Sequence, residues 1–238
     1  MSRSNCVVAV LAVLFSLGSE ASAGYIVIGS PADANAGSAF PFGLSSATTY
    51  QQVYNANQFT SGPITINAID FFNTSKPGGS INPATYSVYL STTSKSVNGL
   101  TYGGSSSNVG PDNALFFSGA LGGPINTTTQ EFTITGTPFT YNPANGNLLL
   151  EIVLSNATPA SLATVFLDAR NGDFGTISSR SYSLDSSGSF SNSYGLVTEF
   201  DFVPAADPPT VIPEPASIAV FGFATLLGVA CCRRRSLA

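Results

Sequence analysis

Short runs of β-branched and aromatic residues recur along this chain, each closed by a turn built from Gly, Pro or Asn, and that punctuation leaves little room for helices. The runs at 25–28, 51–54, 64–72, 86–90, 114–118, 131–135, 148–154, 164–168, 179–184 and 195–203 predict strands. Between them, Ser61-Gly62-Pro63, Lys76-Pro77-Gly78-Gly79, Gly122-Gly123-Pro124 and Asn142-Pro143-Ala144-Asn145-Gly146 supply the positive or fixed φ angles that turns need. No 3.6-residue periodicity appears between the two ends of the chain.

Side-chain parity refines the strands. Tyr86, Val88 and Leu90 alternate onto one face, as a half-buried antiparallel strand requires. The run 148–154 is apolar on both faces except at Glu151, which predicts a central strand. Glu151 itself reads either as a group at an exposed sheet edge or as a buried acid that has a raised pKa or holds a cation. In 64–72 the apolar parity changes after Ala68, and a β-bulge accounts for it. The expected fold is an all-β, antiparallel, jelly-roll-like sandwich.

Both ends of the chain read as addresses. Arg3, the apolar run 7–17 and the small residues Ala21-Ser22-Ala23 have the layout of a secretory signal peptide over 1–23, cut between Ala23 and Gly24. At the other end Pro213-Glu214-Pro215 bars a helix, because two prolines remove donors and fix φ. An uncharged run follows over 216–232, which at about 1.5 Å per residue reaches roughly 25 Å, the short end of a transmembrane helix. Arg233, Arg234 and Arg235 then form a basic stop that stays cytoplasmic and places the body outside. A buried C-terminal helix is the alternative for so short a run. Cys231 and Cys232 beside the arginines complete this helix or carry an acyl group.

The order of triplet, apolar segment and arginines resembles the PEP-CTERM sorting signal of Gram-negative bacteria over 212–238, with Ile212 where valine is usual. That resemblance implies processing near Pro213, Glu214 and Pro215 by an integral-membrane exosortase. It also implies export through the Sec translocon and a precursor held in the inner membrane before transfer to the cell surface or extracellular matrix. The resemblance concerns sorting, not the cargo. Segments 50–54 and 141–150 are similar to those of other proteins with this tail, with no activity attached.

What remains is one domain over 24–204 and a stiff linker over 205–211 containing Pro208 and Pro209. From Gly24 to Thr210 it carries four cations, Lys76, Lys95, Arg170 and Arg180, against eleven acids, a net charge of −7. Nucleic acid is therefore a poor partner, since its phosphates would be repelled.

The chain has no histidine, and its three cysteines, Cys6, Cys231 and Cys232, lie in the terminal signals. Ser-His-Asp and Cys-His nucleophiles and zinc sites of imidazole or thiolate are thereby excluded. Oxygen donors suit calcium, and Asp33 with Asn35, and Asp168 with Asn171 and Asp173, are the candidate ligands. Glu199 and Asp201, spaced i and i+2, share one strand face while Phe200 and Phe202 share the other. A solvated face opposite a core face explains them, and so do paired catalytic carboxylates. Tyr50, Tyr54, Tyr86, Tyr89, Tyr102, Tyr141, Tyr182 and Tyr194 are available for a sugar-binding face. Thr133, Thr135 and Thr137 form one short ladder of the kind an ice-binding face repeats.

The function expected from this sequence is a non-catalytic structural or adhesive protein of the cell surface or exopolysaccharide matrix, with no obligatory cofactor. The alternatives are a calcium-dependent carbohydrate-binding module, a carboxylate-based glycoside hydrolase or lyase, and an ice-binding protein.

Overall fold

The structure, a computed structural model, describes residues 22–30, 36–160, 163–170, 176–184 and 188–205. These belong to one compact unit that ends at Ala205, and a second unit, Ala206–Ala238, lies outside the described residues. Thirteen strands form among the described residues. In chain order the first seven are β1 (Gly24–Ile28), β2 (Ala36–Ser38), β3 (Ala47–Tyr54), β4 (Ile64–Phe72), β5 (Ser80–Thr93), β6 (Ala114–Pro124) and β7 (Glu131–Tyr141). The rest are β8 (Asn147–Ser155), β9 (Leu167–Arg170), β10 (Ser178–Leu184), β11 (Gly188–Asn192), β12 (Gly195–Leu196) and β13 (Thr198–Pro204). Helical structure among the described residues is limited to three single 3-10 turns, and no helix there is long and apolar enough to cross a membrane.

Every pairing between named strands is antiparallel. One sheet has the order β1-β13-β4-β7, a second β11-β10-β3-β8-β5-β6, and a third, small one β12-β9-β2. The pairing is nested in sequence. β5 pairs with β6, β4 with β7 and β3 with β8, and the three pairs fall alternately in the six-, four- and six-stranded sheets.

Aromatic side chains join the four- and six-stranded sheets. Tyr54 on β3 meets Phe200 on β13 edge-on at 5.0 Å between ring centroids, and its hydroxyl lies 2.9 Å from Thr198 Oγ1. Phe42, in the chain between β2 and β3, is fully buried against Phe71 on β4, Tyr86 on β5 and Phe132 on β7. Burial of such side chains contributes about 1.5–3 kcal/mol each, the main force holding the layers.

Parity behaves as expected with one displacement. Tyr86, Val88 and Leu90 are all buried on one face of β5. The adjacent residues Asp201 and Phe202 of β13 pair with Ala68 and Ile66, so Asn67 is the extra residue on β4, one residue before the expected point, and the register against β7 shifts at the same place. It puts Ile64, Ile66, Ile69 and Phe71 in the core and turns Asp70 to the other face.

β8 lies between β3 and β5, so Glu151 is in the middle of the sheet and the edge explanation for it is wrong. The strand is apolar on both faces because the segment 94–113, between β5 and β6, folds over the outer face of the six-stranded sheet. Leu100 from this segment closes on Val53 and Leu149, with Val97 and Val109 packed beside them. Gly104 makes the close approach. Its φ is +62°, and a Cβ there would stand 2.3 Å from Thr49 Cγ2.

Candidate functional site

Among the described residues, a cluster of acidic groups lies on the outer face of the four-stranded sheet. Strand register sets it. Glu199 on β13 stands directly opposite Asp70 on β4, and Asp70 directly opposite Thr133 on β7. Asp201 and Glu131 occupy the neighbouring positions on the same face, two residues along their own strands. Phe200 and Phe202 point the other way into the core. One carboxylate oxygen from each of Asp70, Glu199 and Asp201 lies within 4.8 Å of the others.

Asp70 is only 2 % exposed. Burial pushes its carboxyl up to about 6, the Thr133 hydroxyl that donates to Oδ1 works against this, and the charges of Asp201 and Glu131 add to it. Glu199 is raised in the same direction, by burial first and then by Asp201, Asp70 and Glu131. Like charges directly across a ladder are destabilising. The cluster therefore favours states in which it holds a proton or an oxygen-seeking cation. A groove of about 290 Å³ lined by Gly24, Tyr25, Asn67, Asp201 and Phe202 borders it, with Tyr25 69 % exposed at its rim. Glu199 and Asp201 were legible as a polar strand face. Asp70 was not, because only long-range pairing brings β4 beside β13.

A second polar array surrounds Glu151. Gln51 Nε2 donates to Glu151 Oε1 at 2.6 Å, and Asn108 Nδ2 donates to Gln51 Oε1 at 2.7 Å. Asn108 also binds Thr101 O, so the array ties the 94–113 segment to the sheet. Burial raises the Glu151 carboxyl and the Gln51 amide opposes it. Tyr89 on β5 is its other cross-strand neighbour.

The candidate calcium ligands fall differently. Asp33, Asn35, Asn171 and Asp173 lie outside the described residues. Asp168 is fully buried and both of its carboxylate oxygens are engaged. Oδ1 accepts from Ser75 N at 2.8 Å, and Oδ2 accepts from Thr74 N at 3.1 Å and Thr74 Oγ1 at 2.5 Å. Asp168 thus fixes the turn after β4 from the neighbouring small sheet.

The eight tyrosines do not form one face. Tyr50, Tyr54, Tyr86 and Tyr141 are fully buried and Tyr182 is 8 % exposed, leaving Tyr89, Tyr102 and Tyr194 with accessible surface. The buried hydroxyls find partners, Tyr86 on Asn82 O and Tyr141 on Gly146 O, which is how a phenol is accommodated in a core. Thr133, Thr135 and Thr137 are exposed along β7, which is an edge strand. Of the signal-peptide cleavage residues, Ala21 lies outside the described residues, Ala23 precedes the first strand, and Gly24 opens it. Pro213, Glu214, Pro215, Arg233, Arg234 and Arg235 also lie outside the described residues.

Comparison with protein-family models, characterised proteins and solved structures finds no match to this chain.

Proposed function

We propose that this chain is an exported protein sorted through its C-terminal tail to the cell surface or exopolysaccharide matrix, where a jelly-roll-like β-sandwich serves a structural or adhesive role without catalysis. The observation that carries this reading is the three-part tail: Pro213-Glu214-Pro215, the apolar run 216–232 and Arg233 to Arg235. Two structural features support it. The first strand begins at Gly24, the residue that follows the expected signal-peptide cut. The nested pairs β3 with β8, β4 with β7 and β5 with β6, alternating between two sheets joined by aromatic contacts, are consistent with the pairing that a jelly roll would have. Exosortase and the Sec translocon are the partners this reading requires.

Replacing Pro213-Glu214-Pro215 by three alanines leaves export intact and makes the unprocessed precursor accumulate in the inner membrane, as read by fractionation and the mass of the mature chain. Unchanged processing would mean that the tail is an ordinary anchor. Polysaccharide turnover by the pure protein, abolished by changing one carboxylate, would replace the structural role by the hydrolase or lyase reading.

Calcium-dependent glycan binding is the second reading, favoured by the convergence of Asp70, Glu199 and Asp201. A bound ion stabilises the native state by mass action. Thermal unfolding of the protein in calcium against EDTA separates the two readings: a higher Tm in calcium, lost in Asp201→Asn, supports the second, and equal Tm values remove it.

A further inference from the structure

Pairing of β5 with β6 stops at Leu90 and Ala114, whereas pairing of β5 with β8 continues to Thr93 and Asn147. Beyond Leu90 the freed side of β5 is taken up by the loop that leads into β6. Thr92 N donates to Asp112 Oδ1 at 2.7 Å, and Gly110 N donates to Ser91 Oγ at 3.2 Å. Gly110 permits the approach, since a Cβ there would stand 1.7 Å from Thr92 O. The turn between β7 and β8 is fixed as firmly. Asn142 Oδ1 accepts from Ala144 N at 3.0 Å, Pro143 opens the single 3-10 turn, and Tyr141 Oη donates to Gly146 O at 2.7 Å. Asn147 Nδ2 then donates to Lys95 O at 2.9 Å and ties this turn to the chain that follows β5.

These segments border a cleft of about 390 Å³, a volume within the range of small-ligand sites. Thr92 and Ser94 line it from the end of β5, Val109 to Asp112 from the loop, and Asn145 from the turn. Ser94, Asp112 and Asn145 are exposed there. A carboxylate only accepts hydrogen bonds, whereas a carboxamide and hydroxyls both donate and accept. That set suits a ligand rich in hydroxyls, and Val109 and Pro111 add an apolar surface for its C–H groups. Because Thr92 N already orients the Asp112 carboxylate, little ordering remains to be done on binding. An anionic ligand would be repelled by Asp112 and by a body whose net charge between Gly24 and Thr210 is −7. Calcium would find a single carboxylate in this cleft.

We propose that this cleft binds a neutral hexopyranose unit of a polysaccharide. Asp112 accepts from its hydroxyls, Asn145 both donates and accepts, and Val109 and Pro111 lie against its C–H face. The proposal rests on the adhesive reading, to which it gives a ligand class, and it requires no calcium.

The test titrates the full-length chain in detergent with methyl α-glucoside, methyl α-galactoside and methyl α-mannoside, in EDTA and again in calcium, with sodium glucuronate as the anionic control. Two-dimensional NMR follows the amide resonances of Thr92, Gly110 and Asp112. At least one hexoside is expected to move them saturably in both buffers, and glucuronate to bind about tenfold more weakly. Asn145→Ala, at an exposed site, should leave Tm unchanged and weaken the hexoside about tenfold. Asp112→Asn, which keeps an acceptor for Thr92 N, should weaken it to a similar degree. Resonances that none of the three hexosides moves overturn the site. Glucuronate binding as tightly as the hexoside overturns the neutral assignment, and binding seen only in calcium overturns this cleft in favour of the acidic cluster. Should Asp112→Asn fail to fold, Asn145→Ala and the wild-type titration decide. A failed titration beside correct processing of the tail removes the site and leaves the surface role standing.

Discussion

Glu199 faces Asp70 directly across the β13–β4 ladder, two acids in the cross-strand position where opposite charges would be expected. Its first consequence is for stability against pH. The Asp70 carboxyl titrates at about 6 in the folded protein against an ordinary 3.8, so the folded state binds its proton more tightly than the unfolded chain does. The favourable contribution is complete below the unfolded value and is lost as pH rises through about 4 to 6. Glu199, shifted in the same direction, acts with the same sign. Asp70→Asn is expected to raise stability at pH 7 by on the order of 1 kcal/mol, allowing for solvent screening, and to do little at pH 4. Thermal unfolding of both proteins across this range checks it. A wild-type minus variant difference that does not change with pH would refute the assignment.

Asp168 gives a prediction of the opposite kind. Its carboxylate is a tether for Thr74 and Ser75. Asp168→Ala leaves buried donors unpaired and is expected to cost about 1–3 kcal/mol. The loss should be the same in calcium and in EDTA. A loss confined to calcium-containing buffer would make Asp168 a ligand after all.

Gly104 tests the covering segment. With φ at +62° and Thr49 against the position of a Cβ, Gly104→Ala is expected to destabilise the protein by roughly 1–3 kcal/mol. Urea denaturation should show a lower midpoint. Amide exchange should quicken first at Asn98 and Thr101, whose amides bond Ser179 Oγ and Asn108 Oδ1. Uniform quickening over the whole chain would mean that the segment is not a separable cover.

Phe42 sits where aromatic rings from β4, β5 and β7 converge. Phe42→Ala is expected to cost about 3–5 kcal/mol, whereas Tyr25→Ala at its exposed site should stay within about 0.5 kcal/mol. Chemical denaturation of the two variants gives the comparison, and equal effects would contradict the burial of Phe42.

Strands with a strong local signal were legible in the sequence. β4 spans the residues expected, and its change of parity announced the bulge to within one position. β2 and β11 were not legible. Ala-Gly-Ser and Gly-Ser-Phe-Ser-Asn contain no β-branched residue, and their extended state is stabilised by pairing with β9 and β10. The same limit applies to side chains. Glu199 and Asp201 could be placed on one face from spacing alone, but their meeting with Asp70 depends on register between strands more than a hundred residues apart in sequence. Tyrosine is ambiguous by nature, since Tyr54 and Tyr102 look alike in sequence. Only the Thr198 hydroxyl waiting in the core tells the first from the second.

The place of β13 has a mechanical meaning. It is the strand from which the chain continues toward the tail, and it is held on one side by β1 and on the other by β4. A pull applied at the C-terminal end of β13 and directed along this strand must shear two ladders of hydrogen bonds together, instead of peeling an edge strand one bond at a time. A domain loaded through an interior strand in this way yields late and abruptly.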